Sequence, residues 1–294
     1  MKMKSREAAR IRCRPIDEAD IPALTDLLAR GFPDRSKGYW TQALESLARR
    51  DAPRAYPRFG YILEDGNRAV GVILMIFTSQ GGAGGAQTRC NISSWYVDPL
   101  YQGYAALLIA AAVRSKDVTY INISPATHTR PVIEAQGFRR YCNGQMLCVP
   151  ALSRPTPKAL ARRFCAGRNY GPSLANEERD VLLAHENYGC LSFVVQENGR
   201  AHPFVFLPRR VLRGTFPALQ LVYCRQIEDF VRVAGVLGRA VAKLGHFSVL
   251  VDANERLPGL VGVYRPNCGP KYFKGPERPR IGDLAFCESI LFGP

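Results

Sequence analysis

The sequence predicts an α/β protein made of two domains, each combining strands with helices. The length of 294 residues corresponds to about two domains of ordinary size. Strand-like and helical patterns alternate in the first half, and a strand, a long helix and another strand recur at matching intervals in the second. A hydrophobic content of 47% is enough to fill real cores and argues against a disordered chain.

The first half begins with a short strand and an amphipathic helix. The strand over 11–15 ends at a proline, and Asp17 is placed to cap a helix over 18–30. The DGN sequence at 65–67 separates two strand-like runs and predicts a β-hairpin. The glycine-rich run 81–85 lacks the Lys-Ser/Thr of a P-loop and is interpreted as a loose hairpin tip. The other elements predicted before residue 150 are helices over 39–49 and 130–136 and strands over 59–64, 69–77, 90–97, 118–124, 139–141 and 146–149, the last two as a closing hairpin.

The stretch 95–114, WYVDPLYQGYAALLIAAAVR, is the part of the chain around which the rest is organised. A strand-like run breaks at Pro99, turns through 102–104 and continues as an almost wholly apolar helix. The start of a helix leaves backbone N–H groups without intrahelical partners, and such groups suit a phosphate. The stretch therefore predicts a strand, a turn and a helix with an anion site at the turn.

Three segments together resemble the GNAT superfamily, the acyl-CoA-dependent N-acyltransferases. They are YVDP at 96–99, RPIDEADIPAL at 14–24, and GF at 137–138 after the short helix. The predicted order β-α-α-β-β-β-α-β-α-β is that of one complete GNAT domain. The resemblance implies a mixed, mostly antiparallel sheet flanked by helices, and the pattern of the second half implies that this fold is duplicated.

The resemblance also implies acetyl-CoA or another acyl-CoA as co-substrate. Its pantetheine arm would hydrogen-bond to the backbone of Trp95, Tyr96 and Val97. Its pyrophosphate would lie at a turn made of Gln102, Gly103, Tyr104, Ala105 and Ala106. Ala105 stands where the family has its first glycine, and Leu107 occupies the second small position, so the phosphate cradle is present in outline and cramped in detail.

Two catalytic features of the family are replaced in this sequence. Ile133 stands where many members have a tyrosine that protonates the leaving thiolate, and Ala126 replaces the asparagine that precedes its helix. His128 in the neighbouring loop could act as a general acid or base, although a lone loop histidine is more often simply exposed. Ser94, next to Ser93, lies where the family often places a base or a group that holds water.

The second half is predicted to start after a basic linker. The boundaries are a domain over 10–150, a linker over 151–170 and a second domain over 171–294. The linker contains two prolines and no acidic residue. Leu160 and Phe164 could give a short helix within it an apolar edge. An exposed linker is the simpler interpretation, and contact with an anionic surface is the alternative. The elements predicted beyond it are a helix over 177–188 capped by Asn176, a helix over 231–244, and strands over 191–196, 203–208, 218–225, 247–252 and 284–292.

The strand end of the second domain is less suited to a phosphate than that of the first. The IEDF sequence at 227–230 follows the strand, carries two carboxylates and lacks a glycine-rich turn. A second feature of this half is a basic loop, which is either solvated or lines a cleft for an acidic acceptor. Its residues are Lys271, Tyr272, Lys274, Arg278 and Arg280.

Composition limits the setting and the partners. A net charge of +15, spread over both halves, can steer any polyanion, but no RNP or helix-turn-helix pattern accompanies it, so nucleic acid is disfavoured. No apolar run is long enough to span a bilayer, and the basic start lacks the apolar core of a secretory signal. The nine cysteines form no CxxC pair or zinc-ligand pattern, so no metal site is predicted, and we interpret most of them as buried apolar residues. The expectation is a cytoplasmic protein of undetermined oligomeric state.

Two hypotheses from different classes follow. The first is an acyl-CoA-dependent acyltransferase that modifies a nitrogen or oxygen of an acceptor, which could be a sugar or glycan, a lipid, an amino acid or a protein. The second is a non-catalytic pseudo-acyltransferase that uses the fold to bind a ligand or partner. A basic nucleic-acid-binding protein ranks third because it rests on charge alone.

Overall fold

The structure is a computed structural model that describes residues 11–80, 87–211 and 214–293. The chain divides into two compact units. The first runs to Asn122 and includes Leu291–Gly293, and the second comprises Ile123–Ile290. We describe each unit by itself.

The first unit contains a mixed, mostly antiparallel sheet. Its strands in the described residues are β1 (Ile11–Pro15), β2 (Gly60–Asp65), β3 (Arg68–Gln80), β4 (Gln87–Val97) and β5 (Thr119–Asn122). They lie in the order β1-β2-β3-β4-β5, and each neighbouring pair is antiparallel except β4 and β5, which are parallel. The predicted hairpin at 65–67 is confirmed by the antiparallel pairing of β2 with β3. The predicted tip at 81–85 lies outside the described residues.

Three helices belong to this unit: α1 (Ile21–Gly31), α2 (Lys37–Arg49) and α3 (Ala105–Ala112). Leu24, Leu27 and Leu28 form the buried stripe of α1, as their helical spacing predicts. A 3-10 turn precedes α1, and there the Asp17 carboxylate accepts a hydrogen bond from the N–H of Ala19. The cap predicted at Asp17 is therefore confirmed.

The second unit contains a longer mixed sheet. Its strands in the described residues are β6 (Arg139–Cys148), β7 (Leu160–Arg163), β8 (Leu191–Glu197), β9 (Arg200–Val211), β10 (Phe216–Cys224), β11 (Val249–Ala253) and β12 (Gly262–Lys274). Their order is β12-β6-β11-β10-β9-β8-β7, and only β10 and β11 are parallel neighbours. Its helices are α4 (Arg130–Ala135), α5 (Asn176–Glu186) and α6 (Ile227–Ala242), and α7 (Glu288–Leu291) lies close to the end of the chain.

Helix α6 packs on this sheet and supplies much of the core of the second unit. Phe230, Val233 and Leu237 are buried against strand residues such as Phe206. The helix approaches another backbone closely, because a Cβ at Gly238 would lie 2.1 Å from the nitrogen of Ala151. Burial of this apolar face is the main stabilising contribution of the helix.

The closing hairpin predicted at 139–149 is wrong, because β6 is one continuous strand between β11 and β12. The Asn-Gly pair that suggested a turn has a different role. A Cβ at Gly144 would lie 2.4 Å from the carbonyl oxygen of Arg265, so glycine permits close strand pairing there.

Four further predictions for the second half need correction. The short helix predicted within 151–170 is instead the edge strand β7, which pairs with β8. Ala175, not Asn176, is the cap residue of α5, and its N–H donates to the Glu178 carboxylate. The predicted strand over 284–292 is a single β-bridge followed by α7.

The last correction concerns the predicted basic loop. Lys271 and Tyr272 belong to strand β12, and the Lys271 side chain is buried beside Asp252. Within the described parts of the chain, no helix is long and apolar enough to cross a lipid bilayer.

Candidate donor-binding site

The first unit contains a gap between two parallel strands. β4 and β5 pair through three positions, Arg89 with Thr119, Cys90 with Tyr120 and Asn91 with Ile121. β4 then continues for six more residues to Val97, whereas β5 ends at Asn122. In the described residues no strand pairs with β4 beyond Asn91 on the β5 side, so this backbone edge can accept an extended ligand as an added strand.

A β-bulge lies in the part of β4 that borders this gap. Against β3, Tyr96 is opposite Val72 and Ser93 is opposite Leu74, so Ser94 and Trp95 share one opposing residue. Ser94 has a φ of 48°, which is uncommon for a residue other than glycine. The bulge bends the strand and re-aims its backbone groups at the gap.

A tight turn connects β4 to α3. The segment Pro99–Tyr104 is a 3-10 helix, and α3 begins at Ala105. Neither Asp98 nor Tyr104, the two cap residues, makes a side-chain capping hydrogen bond. Within this segment the Tyr101 N–H donates to the carbonyl of Asp98 and the Ala105 N–H donates to that of Gln102. A bound anion would therefore depend on other N–H groups at this helix start.

Gly103 lies at the most open point of the turn. A Cβ built on Gly103 would have no atom within 4 Å, and the residue is exposed. The turn thus offers backbone N–H groups without a side chain in front of them. Leu107, which stands at the second small position of the resemblance, is 46% exposed on α3.

Asp98 joins the turn to the rest of the unit. Its Oδ1 accepts a hydrogen bond from the Tyr96 hydroxyl at 3.1 Å, and its Oδ2 lies 3.3 Å from Arg30 and 3.4 Å from Arg68. Its N–H donates to the carbonyl of Val70. The carboxylate would repel phosphate if it were unpaired, but two guanidinium groups neutralise it and leave positive charge nearby.

The Tyr96 side chain has a structural position. Its ring lies against the end of α1, where a Cβ built on Gly31 would be 2.4 Å from Cγ of Tyr96. The ring centroids of Tyr96 and Phe32 are 6.2 Å apart. Burial, followed by the hydrogen bond to Asp98, raises the pKa of the Tyr96 hydroxyl above its ordinary value. Its hydroxyl is therefore protonated at neutral pH and donates to Asp98.

The predicted cofactor-binding residues form one continuous strand, turn and helix. Trp95 and Tyr96 are half-buried and Val97 is buried on β4. On the turn and the first residues of α3, Ala105 is half-buried, and the exposed positions are Gln102, Gly103, Tyr104 and Ala106. The structure places these residues on one strand, turn and helix, as the sequence predicts, and their roles in binding stay a prediction.

The candidate catalytic residues lie in different units. Ser94 is on the bulge of β4, half-buried, with its Oγ 3.0 Å from the Oγ of Ser93. His128 is exposed on the 3-10 turn Thr127–Thr129 of the second unit. Ile133 is buried in α4, as is usual for an apolar side chain.

Sequence reasoning missed the contacts of Asp98. Asp98 was recognised only as part of the YVDP turn, and its partners Arg30 and Arg68 lie far from it along the chain. The available signal was an acidic residue directly after an apolar strand, in a protein otherwise rich in basic residues.

No family model matches this chain, and no curated protein matches its sequence. Solved structures do match its fold. A GCN5-related N-acetyltransferase from Anabaena variabilis ATCC 29413 superposes with a TM-score of 0.59 at 11% identity, covering 90% of this chain and 72% of that chain. One from Kribbella flavida has a TM-score of 0.58 at 15% identity, with coverages of 90% and 71%. Eis1 from Mycobacterium abscessus has a TM-score of 0.52 at 8% identity, with coverages of 93% and 74%.

Identities this low establish a shared fold and no activity. The mixed, mostly antiparallel sheet flanked by helices agrees with these matches. The chain has the fold of the GCN5-related N-acetyltransferases.

Proposed function

We propose that the chain is an acyl-CoA-dependent acyltransferase whose first unit binds acetyl-CoA or another acyl-CoA. The observation that carries this proposal is the gap between β4 and β5, which ends at a helix start that has no side-chain cap. The matched structures support it, since those from Anabaena variabilis and Kribbella flavida are named as N-acetyltransferases.

In this proposal the donor lies along the backbone of β4. The amides of its pantetheine arm hydrogen-bond to Trp95, Tyr96 and Val97. Its pyrophosphate lies at the turn around Gly103 and Ala106 and accepts hydrogen bonds from N–H groups there other than that of Ala105, which donates to Gln102. The turn itself, 99–107, has no charged side chain. Attraction for the phosphates therefore comes from backbone dipoles and from basic residues outside the turn such as Arg30 and Arg68.

Acyl transfer is direct in this proposal. An acceptor nitrogen or oxygen attacks the thioester carbonyl, the C–S bond breaks, and the thiolate of CoA leaves and takes up a proton. Backbone N–H groups beside the bulge of β4 stabilise the negative charge that develops on the carbonyl oxygen. The Ser94 hydroxyl, beside Ser93, holds a water molecule that accepts the proton of the acceptor. The acceptor is a sugar, a lipid, an amino acid or a protein.

The binding step is tested by calorimetry with acetyl-CoA and longer acyl-CoAs, for which we expect dissociation constants in the micromolar range. Gly103→Trp places a large side chain where the pyrophosphate would lie, and a Cβ at this position has no atom within 4 Å. We expect it to weaken binding by at least about tenfold without loss of stability. Gly167→Trp is the matched control, because Gly167 is also exposed with no atom within 4 Å of a built Cβ.

Turnover is tested by following free CoA thiol with panels of amine and hydroxyl acceptors. Release that depends on an acceptor and falls in Gly103→Trp supports the proposal. Absence of binding by every CoA tested would overturn it. Binding without turnover of any acceptor would instead favour the pseudo-acyltransferase hypothesis.

A further inference from the structure

The second unit repeats the strand geometry of the donor site. β10 and β11 are parallel and pair through two positions, Leu219 with Val249 and Gln220 with Leu250. β10 then continues to Cys224, its register against β9 shifts between Leu221 and Tyr223, and α6 follows at Ile227. The second unit thus has the same sequence of features in β10, β11 and α6 as the first has in β4, β5 and α3. In each unit a parallel pair separates, the longer strand has an irregularity, and a helix follows.

The gap of the second unit differs in being filled by the chain itself. The Leu284 N–H donates to the carbonyl of Val222 at 2.8 Å, and the Cys224 N–H donates to the carbonyl of Gly282 at 2.8 Å. Between these bonds Tyr223 and Asp283 form an antiparallel β-bridge. The segment 282–284 therefore runs along the edge of β10 that β11 has left and uses the backbone groups that an extended ligand would need.

Side chains fasten this segment at both ends. The Arg280 guanidinium donates to the carbonyl of Cys224, lies 3.2 Å from Asp283 and sits 5.2 Å from the centroid of the Tyr223 ring. At the other end the Phe286 N–H donates to Nε2 of His185 at 3.1 Å, and the two rings are 4.5 Å apart. The residues of this stretch that are buried are Gly282, Asp283, Leu284, Ala285 and Cys287.

We propose that residues 280–286 are an internal plug that permanently occupies the strand gap of the second unit and excludes an acyl-CoA from it. The plug takes the place along β10 that the pantetheine arm takes along β4 in the proposed function. The start of α6 agrees, because Glu228 and Asp229 lie in its first turn and repel a phosphate. The chain thus has one donor site, in the first unit, and the second unit contributes no second equivalent of bound donor. The existence of the plug stands on the structure, and the assignment of the donor to the first unit rests on the proposed function.

Amide hydrogen exchange of the full chain tests both parts separately. In the free protein we expect the amides of Cys224 and Leu284 to exchange at least about a hundredfold more slowly than in an unstructured peptide. Saturating acetyl-CoA should protect peptides covering 92–106, leave those covering 280–287 unchanged, and titrate to one equivalent per chain. Fast exchange of 280–287 in the free protein, or its displacement by acetyl-CoA, would overturn the plug. If acetyl-CoA leaves exchange in 92–106 unchanged while 280–287 exchanges slowly both with and without acetyl-CoA, the proposed donor site is overturned and the plug stands.

A pair of glycine variants tests the close packing of the plug. A Cβ on Gly282 would lie 2.6 Å from the sulfur of Cys224, so Gly282→Ala should speed exchange across 280–287 by about tenfold or more. Gly259→Ala is the matched control, because Gly259 also has a positive φ and its Cβ would meet only Val231 at 3.5 Å. Exchange in 280–287 that responds equally to both variants would contradict the packing against Cys224 on which the plug depends.

Discussion

The Tyr96 hydroxyl donates a hydrogen bond to Oδ1 of Asp98 at 3.1 Å, so that β4 is locked to the turn that follows it. Asp98 is buried, and its other oxygen lies near Arg30 and Arg68. This one carboxylate therefore connects the strand, the turn, the end of α1 and the start of β3. The candidate donor site depends on that connection, since the turn positions its backbone N–H groups only while it is held.

Replacing Asp98 should loosen the turn. Asp98→Ala leaves the Tyr96 hydroxyl without its acceptor and two guanidinium groups without their carboxylate. We expect the free energy of unfolding to fall by about 1–3 kcal/mol and acetyl-CoA binding to weaken, measured by urea unfolding and calorimetry. Asp51→Ala, at an exposed position, is the control and should change neither quantity. Equal stability of the two variants would show that Asp98 does not hold the turn.

A methyl group at Gly31 should displace the Tyr96 ring. A Cβ there would be 2.4 Å from Cγ of Tyr96, and a ring packed on β4 cannot swing aside as a flexible side chain can. Gly31→Ala should therefore lower the free energy of unfolding by about 1–3 kcal/mol. Gly38→Ala is the control, because its nearest atom is 3.8 Å away and alanine favours a helix by up to about 1 kcal/mol. In urea unfolding, Gly31→Ala should have a lower free energy of unfolding than the parent protein, and Gly38→Ala a higher one.

The elements predicted correctly from the sequence rest on short-range patterns. The strands predicted over 191–196 and 203–208 flank Asn198-Gly199, which forms the hairpin between antiparallel β8 and β9. The φ values of 48° and 74° at these two residues suit a tight turn. The strand, turn and helix over 95–112 follow from proline, glycine and an apolar run within twenty residues. In each case the residues that determine the conformation are neighbours in the chain.

The elements predicted wrongly depend on partners distant in sequence. Asn143-Gly144 has the same composition as the hairpin at 198–199, yet Gly144 pairs with Ala253 on one side and Pro266 on the other. Similarly, the prolines and charges around Lys271 predict a solvated loop, whereas the Lys271 side chain is buried and forms an ion pair with Asp252 on β11. Local composition does not reveal whether a glycine serves a turn or a close approach. Nor did it reveal the contacts of Asp98 at the candidate site.

Lys271 and Asp252 form a buried ion pair that should be costly to break from one side. Their charged atoms are 2.8 Å apart, and Gln145 donates to the same carboxylate oxygen at 2.9 Å. Burial favours the neutral amine, but the neighbouring Asp252 outweighs burial and raises the pKa of Lys271, so the amine is protonated at neutral pH. Lys271→Met leaves Asp252 buried without a counterion and should cost about 3–5 kcal/mol in urea unfolding.

The double variant Lys271→Met/Asp252→Leu separates the ion pair from general packing. It removes both charges and keeps apolar volume, so much of the lost stability should return. A double variant as unstable as the sum of the two single variants would contradict the description of this pair as mutually dependent.

Arg14 should determine part of the acid stability of the first unit. Arg14 bonds to Asp20 and Glu64, and its hydrogen bonds to Asp20 hold the pKa of that carboxyl below its ordinary value. Because the folded pKa is the lower one, the contribution is present above the unfolded pKa of about 3.9 and is lost as the pH falls through the depressed folded value. Arg14→Met should therefore destabilise the protein at pH 6 and flatten the decline in its urea midpoint below about pH 4. Arg12→Met, an exposed neighbour on the same strand, is the control. A decline in Arg14→Met as steep as in the parent protein would mean that other carboxylates cause the acid sensitivity.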